Sequence, residues 1–433
     1  MKAETKKRFK MPLHVVKRLD MSKKHYWAIK IISFIGAFLL AGLLCTILSP
    51  GSFGTFCQRM FYGIFNFANI SKGGKAISKD STLLEFLETA GLLILVAFAL
   101  APAFKMRFWN IGAEGQISVG CLATAGITYF AAKGHVNNGV IIFLCLIASI
   151  AAGIIWAVIP AIFKAFFNTN ETLFTLMMNY VATTLIAICI SFWISNGSQS
   201  FPTLDAGSIE IPAIAKVFGL KYLVSIIIII AIVVIMTIYL KKTKQGYELS
   251  VVGASVNTAR YVGINVKKVI IRTMIISGAI SGLVGFLLVA GHHHTLSRTL
   301  ADGRGFTGVL IAWLGNFEPG QMILYGFLVA FFQRGSIKAA SYVGISKTDF
   351  SNVVTGMFFL IVIATTFFVN YRVLVDEDSK LQVVLTKTKE WFKTVFNRIK
   401  SFFKKIFKSR KKKDAQVEEV VIVQESENKE EDK

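Results

Sequence analysis

Tyr222 to Leu240 reads YLVSIIIIIAIVVIMTIYL, a run without one charged side chain. A helix rises 1.5 Å per residue, so ~20 such residues match the ~30 Å hydrocarbon core of a bilayer. Inside hydrocarbon a helix satisfies its own backbone polar groups, which otherwise only a closed barrel achieves. Similar apolar blocks lie at Tyr26–Leu48, Leu84–Phe104, Ala113–Ala131, Val140–Phe163, Leu173–Ile194, Val269–Ala290 and Phe350–Val369. A shorter pair, Phe306–Leu314 and Gln321–Phe332, is separated by Gly315, Pro319 and Gly320, the pattern of broken or re-entrant helices packed inside protein. The alternating ten-residue segments of a membrane barrel are absent. The expectation is an all-α, polytopic helical membrane protein of about ten transmembrane helices, including short broken ones.

Composition agrees with that reading. Of 433 residues, 54% are hydrophobic and 17% charged, with a mean hydropathy of +0.59, too little polar surface for a soluble domain of this size. The formal charge of +23 would suit nucleic acid, but the positive residues sit at the flanks of the blocks and in one tail. Membrane topology accounts for them, and no nucleic-acid partner is expected. Ten crossings put both ends on one side, and most of the 48 Lys and Arg fall there, which makes both termini cytoplasmic. The basic segment 1–25 precedes a block too long for a signal peptide and without a small-residue cleavage site, so Tyr26–Leu48 reads as a retained first span. Cys45, Cys57, Cys121, Cys145 and Cys189 show neither metal nor redox spacing.

The transmembrane domain covers 26–370, with its longest inner loop at 241–268. In the tail 371–413, Phe392, Val395, Phe396, Ile399, Phe402, Phe403, Ile406 and Phe407 recur at helical spacing among lysines and arginines. A basic amphipathic helix of this kind suits the anionic membrane lipid of the inner leaflet, or a partner subunit. The acidic segment 414–433 is expected to be disordered.

Several polar stretches interrupt the apolar pattern. In Asn110-Ile111-Gly112-Ala113-Glu114-Gly115-Gln116 two glycines permit a helix break, and Glu114 falls in the first turn of a span, where the helix dipole favours a carboxylate. Such a cluster reads either as a functional site or as a cap that ends a loop. Asn170-Glu171 opens the next inner-to-outer span, with Thr175 and Asn179 further along one face, to be satisfied by other helices or by a water-filled path. In the inner loop, Gly246 to Gly263 suits a short helix ending at Gly263, either a docking surface or a solvated connector. Gly278/Gly282 and Ser281/Gly285 are small residues four apart, a spacing for close helix packing. Three consecutive residues, His292-His293-His294, cannot all face one ion, and they read as outer-surface loop residues rather than a metal site. Gly73-Gly74-Lys75-Ala76 lacks the first glycine and the Ser/Thr of a phosphate-binding loop, so the chain is not expected to hydrolyse ATP itself.

Four of these stretches resemble a known family in order along the chain. Phe108 to Gln116 is similar to the F-N-I-G-A-E-G-Q signature of bacterial ABC importer permeases, in the group serving branched-chain amino acids, ribose and nucleosides, and within it the nucleoside branch. Asn170 to Tyr180 resembles its N-E-x-x-T-T-L-M-L-N-Y stretch, Gly246 to Ile264 its coupling loop, and Gly303 to Asn316 its G-x-G-F-x-G-I-A-V-A-L-L-G stretch. Trp109 is an extra residue in the first signature, Ser250 stands where Arg is usual, and Ser255-Val256 replace Asn-Pro. The resemblance implies a permease subunit in the bacterial cytoplasmic membrane, importing nucleosides, with riboflavin or a simple sugar as the alternative within the family. It implies an ATP-binding cassette ATPase, a second homologous or identical permease and an extracytoplasmic solute-binding lipoprotein as partners, and no cofactor. The substrate pathway would use Asn110, Glu114, Gln116, Asn170, Glu171, Thr175 and Asn179. Coupling to the ATPase would use Gly246, Tyr247, Gly253, Ala259, Arg260, Tyr261 and Gly263, with Tyr247, Arg260 and Tyr261 in contact. An ATP-independent secondary transporter is the reading of another class, and it would show coupled ionisable residues within its spans.

Overall fold

The computed structural model describes residues 13–18, 22–48, 53–65, 82–132, 136–194, 200–201, 204, 222–343 and 347–375. The basic tail from residue 376 and the acidic segment 414–433 lie outside the described residues, as do residues 1–12. Two compact units are distinguished, 30–364 and 1–29 with 365–433.

The larger unit is helical. Its elements are α1 (Lys23–Leu48, which begins in the other unit), α2 (Phe53–Phe65), α3 (Thr82–Lys105), α4 (Ala113–Ala132), α5 (Asn138–Phe167), α6 (Glu171–Trp193) and α7 (Leu223–Lys242). The inner loop follows as α8 (Lys244–Ala254) and α9 (Val256–Tyr261). Then come α10 (Val266–Phe286), continued by a π-helical stretch Leu287–His293, α11 (Arg304–Leu314), α12 (Pro319–Val343) and α13 (Lys347–Asn370, which ends in the other unit). Seven of these helices are long and apolar enough to cross a membrane, and α11 is a shorter apolar one.

Burial orders the bundle. From Glu88 to Phe104 every residue of α3 is buried, and α10 is buried over most of its length. By contrast α5, α6 and α7 expose Ile147, Ile155, Val181, Ile188, Ile230 and Val234 on their outer faces. Exposed apolar faces on this scale belong against lipid. The small residues of α10 serve two neighbours at once: Gly278 and Gly282 lie against the backbone of Gly153 and Ser149 on α5, and Gly285 against that of Ile117 and Gly120 on α4. Any side chain there would strike a carbonyl, so backbone contact replaces side-chain packing.

Three expectations need correction. The helix expected at Gln321–Phe332 is not short: α12 runs Pro319–Val343 and belongs to no broken pair. Its polar residues Gln333, Arg334 and Lys338 depress the hydropathy, but Arg334 pairs with Glu85 of α3, so the charge is met inside protein rather than in lipid. The inner loop holds two short helices instead of one, because Ser255 adopts an extended conformation and caps the second, accepting from the Thr258 N–H at 3.2 Å. His292 and His293 end a π-helix rather than lying in a surface loop; His292 Nδ1 bonds Glu88 Oε2, and Tyr222 stacks on its ring. Among the described residues no group of three or more His, Cys, Asp or Glu could hold a metal.

The smaller unit holds a feature with no counterpart in the sequence reading. Leu13–Lys17 and Tyr371–Val375 form an antiparallel two-stranded ribbon, Leu13 opposite Val375 and Lys17 opposite Tyr371. Val15, Val16, Val373 and Val375 are β-branched residues that favour strands. The ribbon brings residues 13–17 and 371–375 side by side.

Candidate functional site

The break between α3 and α4 is built from side chains of three helices. Asn110, fully buried, donates from Nδ2 to Ser277 Oγ of α10 at 3.1 Å. Its Oδ1 accepts the Gly112 N–H at 3.0 Å and Gln116 Nε2 at 3.4 Å. From α6, Thr175 Oγ1 accepts the Ile111 N–H at 3.2 Å, while Asn179 accepts the Gly115 N–H at 2.8 Å and donates to the Ile111 carbonyl at 2.9 Å. The backbone groups freed by the break thus find partners without water, as an apolar surrounding demands. Gly112 and Gly115 let Thr175 and Asn179 approach, since a Cβ at either would press on them.

Glu114 carries the largest electrostatic task. It lies in the first turn of α4, and its two carboxylate oxygens accept the N–H groups of Gly303 (2.8 Å) and Gly305 (2.7 Å) at the start of α11. Two helix N-termini therefore meet at one carboxylate, which offsets the partial positive charge of both. Left-handed backbone at Asp302 (φ 50°) and Gly303 (φ 69°) turns the chain so that both N–H groups face Glu114. A Cβ at Gly305 would collide with the Glu114 backbone, so glycine is required there.

α11 leads away from this junction. Beyond its far end Glu318 pairs with Lys241 at the end of α7 (3.5 Å), and Gly308 packs on Val96 and Ala97 near the middle of α3. An eleven-residue helix spans about 16 Å, half the hydrocarbon thickness and too short to cross it.

Beside the junction runs a groove of about 490 Å³ lined by faces of two helices. Gly303, Phe306, Thr307 and Leu310 of α11 and Asn352, Thr355, Gly356 and Phe359 of α13 each follow the i, i+3, i+4, i+7 spacing of one helix face. Thr183 of α6 and Gln333 of α12 complete the wall, with Arg298, Thr299 and Asp302 at one end and Glu114 beside them. The volume falls in the range of small-molecule sites.

The structure brings Asn110, Glu114, Gln116, Thr175 and Asn179 together and sets Asn170 and Glu171 apart from them. Exposed Asn170 caps α6, accepting the Leu173 N–H at 3.2 Å, and Glu171 pairs with Lys164 at 2.8 Å. Glu171 and Lys164 line a smaller pocket of about 270 Å³ bordered by Gly253 to Val256 of the inner loop. Of the groove residues only Glu114 was expected on the solute path, while Gly303, Phe306, Thr307 and Leu310 fell in the family-like stretch Gly303 to Asn316 without an assigned role. The signal for the α13 face was present, since Asn352, Thr355 and Gly356 interrupt one face of an otherwise apolar block.

The inner loop divides its seven expected residues into two groups. Gly246, Gly253 and Ala259 are buried: Gly246 packs on the carbonyls of Tyr239 and Leu240, and Gly253 on that of Lys105. Gly263, at φ 84°, supplies the left-handed turn after α9. Tyr247, Arg260 and Tyr261 instead point outward, Tyr261 being 93% exposed. The Glu248–Arg272 pair at 3.0 Å fixes α8 to α10.

Comparison with known proteins gives consistent matches. Residues 82–363 match the family described as branched-chain amino acid transport system / permease component. The guanosine ABC transporter permease protein NupP of Bacillus subtilis is 29% identical over 303 residues, covering 69% of this chain and 82% of that protein. The glucose ABC transporter permease protein TsgB13 of Haloferax volcanii is 30% identical over 323 residues, 71% of this chain and 82% of its own. The nucleoside ABC transporter permease protein NupB of Lactococcus lactis subsp. cremoris is 28% identical over 271 residues, 60% of this chain and 74% of its own.

Proposed function

The chain belongs to the branched-chain amino acid transport system permease family, and from that membership we propose that it is the membrane-spanning subunit of an ATP-driven importer that carries a nucleoside across the bacterial cytoplasmic membrane. The groove between α11 and α13 is the solute path. Asn110, Gln116, Thr175 and Asn179 shape it by holding the helix break in place, Glu114 both shapes and lines it, and Asn170 and Glu171 stand at the inner pocket. A second permease, homologous or identical, covers the groove, and a solute-binding lipoprotein delivers the solute from outside. Both termini and the inner loop are cytoplasmic. ATP is hydrolysed by a separate ATPase, which grips Tyr247, Arg260 and Tyr261, while Gly246, Gly253, Ala259 and Gly263 keep that surface in shape.

The observation that carries the solute class is similarity to the nucleoside and guanosine permeases. The groove is lined by the charged residues Arg298, Asp302 and Glu114 and by the neutral hydrogen-bonding residues Thr183, Thr307, Gln333, Asn352 and Thr355, so its lining by itself does not set the charge of the solute. Similarity to NupP and NupB supports a nucleoside, and similarity to TsgB13 favours a simple sugar as the second reading. Cells with and without the gene, given labelled guanosine, decide between them. The nucleoside reading predicts uptake that depends on the gene, falls with excess unlabelled nucleoside and is untouched by excess glucose. Equal uptake by both cell lines discards it.

A further inference from the structure

On the face turned to lipid, α4, α5 and α6 leave a second groove, of about 650 Å³. Its wall on α4 runs from Leu122 to Ala131, and Ala148 of α5 with Cys189 and Trp193 of α6 complete it. No charged, amide or hydroxyl side chain lines it. Small residues make the depression: Ala123, Gly126 and Ala148 add little bulk, and a Cβ at Gly126 would press on the Trp193 ring at 3.1 Å. Bulky residues stand around it, with Phe130, Ile147, Ile188 and Phe192 all exposed. The groove therefore opens on the apolar surface that α5 and α6 present to the hydrocarbon.

Its length and direction name the occupant. Leu122 to Ala131 measures about 14 Å along the helix, close to half of the ~30 Å hydrocarbon core. That half is the one away from the inner loop: α4 starts at the helix break, and Gly253 of the inner loop packs on the Lys105 carbonyl just before it. At the groove's far end, where α4 and α6 finish, aromatic residues gather. Phe130 meets the Trp193 ring edge-on, centroids 5.5 Å apart, and Tyr129 donates its hydroxyl to the Trp193 carbonyl at 3.0 Å. Tryptophan and tyrosine collect at the level of lipid head groups. The groove thus starts at head-group level and ends near the bilayer middle, which is the course of a lipid tail. Water finds no hydrogen bond in such a lining, and an unfilled depression forfeits dispersion contacts. We propose that this groove seats the acyl tails of one phospholipid from the leaflet opposite the inner loop, held between α4 and α6. A helix of the second permease is the competing occupant. Association of helices through small residues needs close backbone approach, and the exposed rings of Phe130 and Phe192 keep a helix off the small residues of the groove.

The test uses the assembled transporter in phosphatidylcholine vesicles whose acyl chains carry a photoreactive diazirine. On illumination, label is expected on residues 122–131 and 189–193 in preference to the equally apolar outer face of α7. Native mass spectrometry after extraction into mild detergent is expected to find one phospholipid per copy of this chain that survives removal of the rest. Ala148→Phe fills the groove and is expected to lose both the label and that lipid. Ile155→Phe, on the exposed face of α5 outside the groove, is expected to keep both. Label spread evenly over the outer faces of α5, α6 and α7 overturns the proposal. So does a retained lipid in Ala148→Phe, or its loss in Ile155→Phe. Should Ala148→Phe fail to assemble, Ala123→Leu on the α4 wall takes its place with the same expectation and the same contrary result. A thiol-directed crosslink from Cys189 to the second permease would give the groove to that subunit and overturn the proposal as well.

Discussion

Glu114→Ala is expected to abolish solute uptake and to cut the amount of folded protein in the membrane several-fold. The alanine leaves the N–H groups of Gly303 and Gly305 without their acceptor at a buried junction. Each unmet group costs about 1–3 kcal/mol, and the loss of the carboxylate between two helix N-termini adds to that. Glu114→Gln is the gentler variant. Its carbonyl accepts one N–H, but its amide nitrogen then faces the other donor, so roughly half of the loss remains. The order wild type, glutamine, alanine should hold for the thermal stability of detergent-solubilised protein and for uptake alike. An alanine variant as stable as the wild type contradicts the role given to this carboxylate.

Arg260→Glu combined with Tyr261→Ala should leave the amount and stability of the chain unchanged and reduce ATP-dependent uptake by at least about tenfold. Both side chains are exposed, so little packing is lost on substitution, and surface changes of this kind alter stability by about 0.5 kcal/mol or less. The opposite pattern is expected for Gly253→Val. A side chain there must displace α8 from the Lys105 carbonyl, so the variant should lose stability before it loses its partner. Co-purification of the ATPase in mild detergent separates the two cases. Full retention and wild-type transport in the double variant refute a docking role for α9.

The crossings were legible because lipid-facing helices must be apolar along their whole length. Tyr222–Leu240 is the clearest case, and Leu223–Lys242 forms the helix. Legibility fell where a helix faces protein. In α12, Arg334 answers Glu85, so hydropathy ended the segment eleven residues early. The ribbon of Leu13–Lys17 with Tyr371–Val375 joins segments some 350 residues apart, which no local pattern announces. At the site, Asn110 to Gln116 stood out as polar residues at a membrane boundary, and the structure places them at a helix break. The partners of Glu114 lie 189 and 191 positions away, and only the folded chain pairs them. The same holds for the groove, whose two faces come from α11 and α13.

The most direct test of the central claim is guanosine uptake into sealed vesicles holding this chain, its permease partner and its ATPase, supplied with the binding lipoprotein. A passage driven from the inner loop predicts accumulation that requires ATP and survives collapse of every ion gradient. Concentrative uptake by the purified chain alone, driven by an ion gradient with no ATPase present, would contradict it.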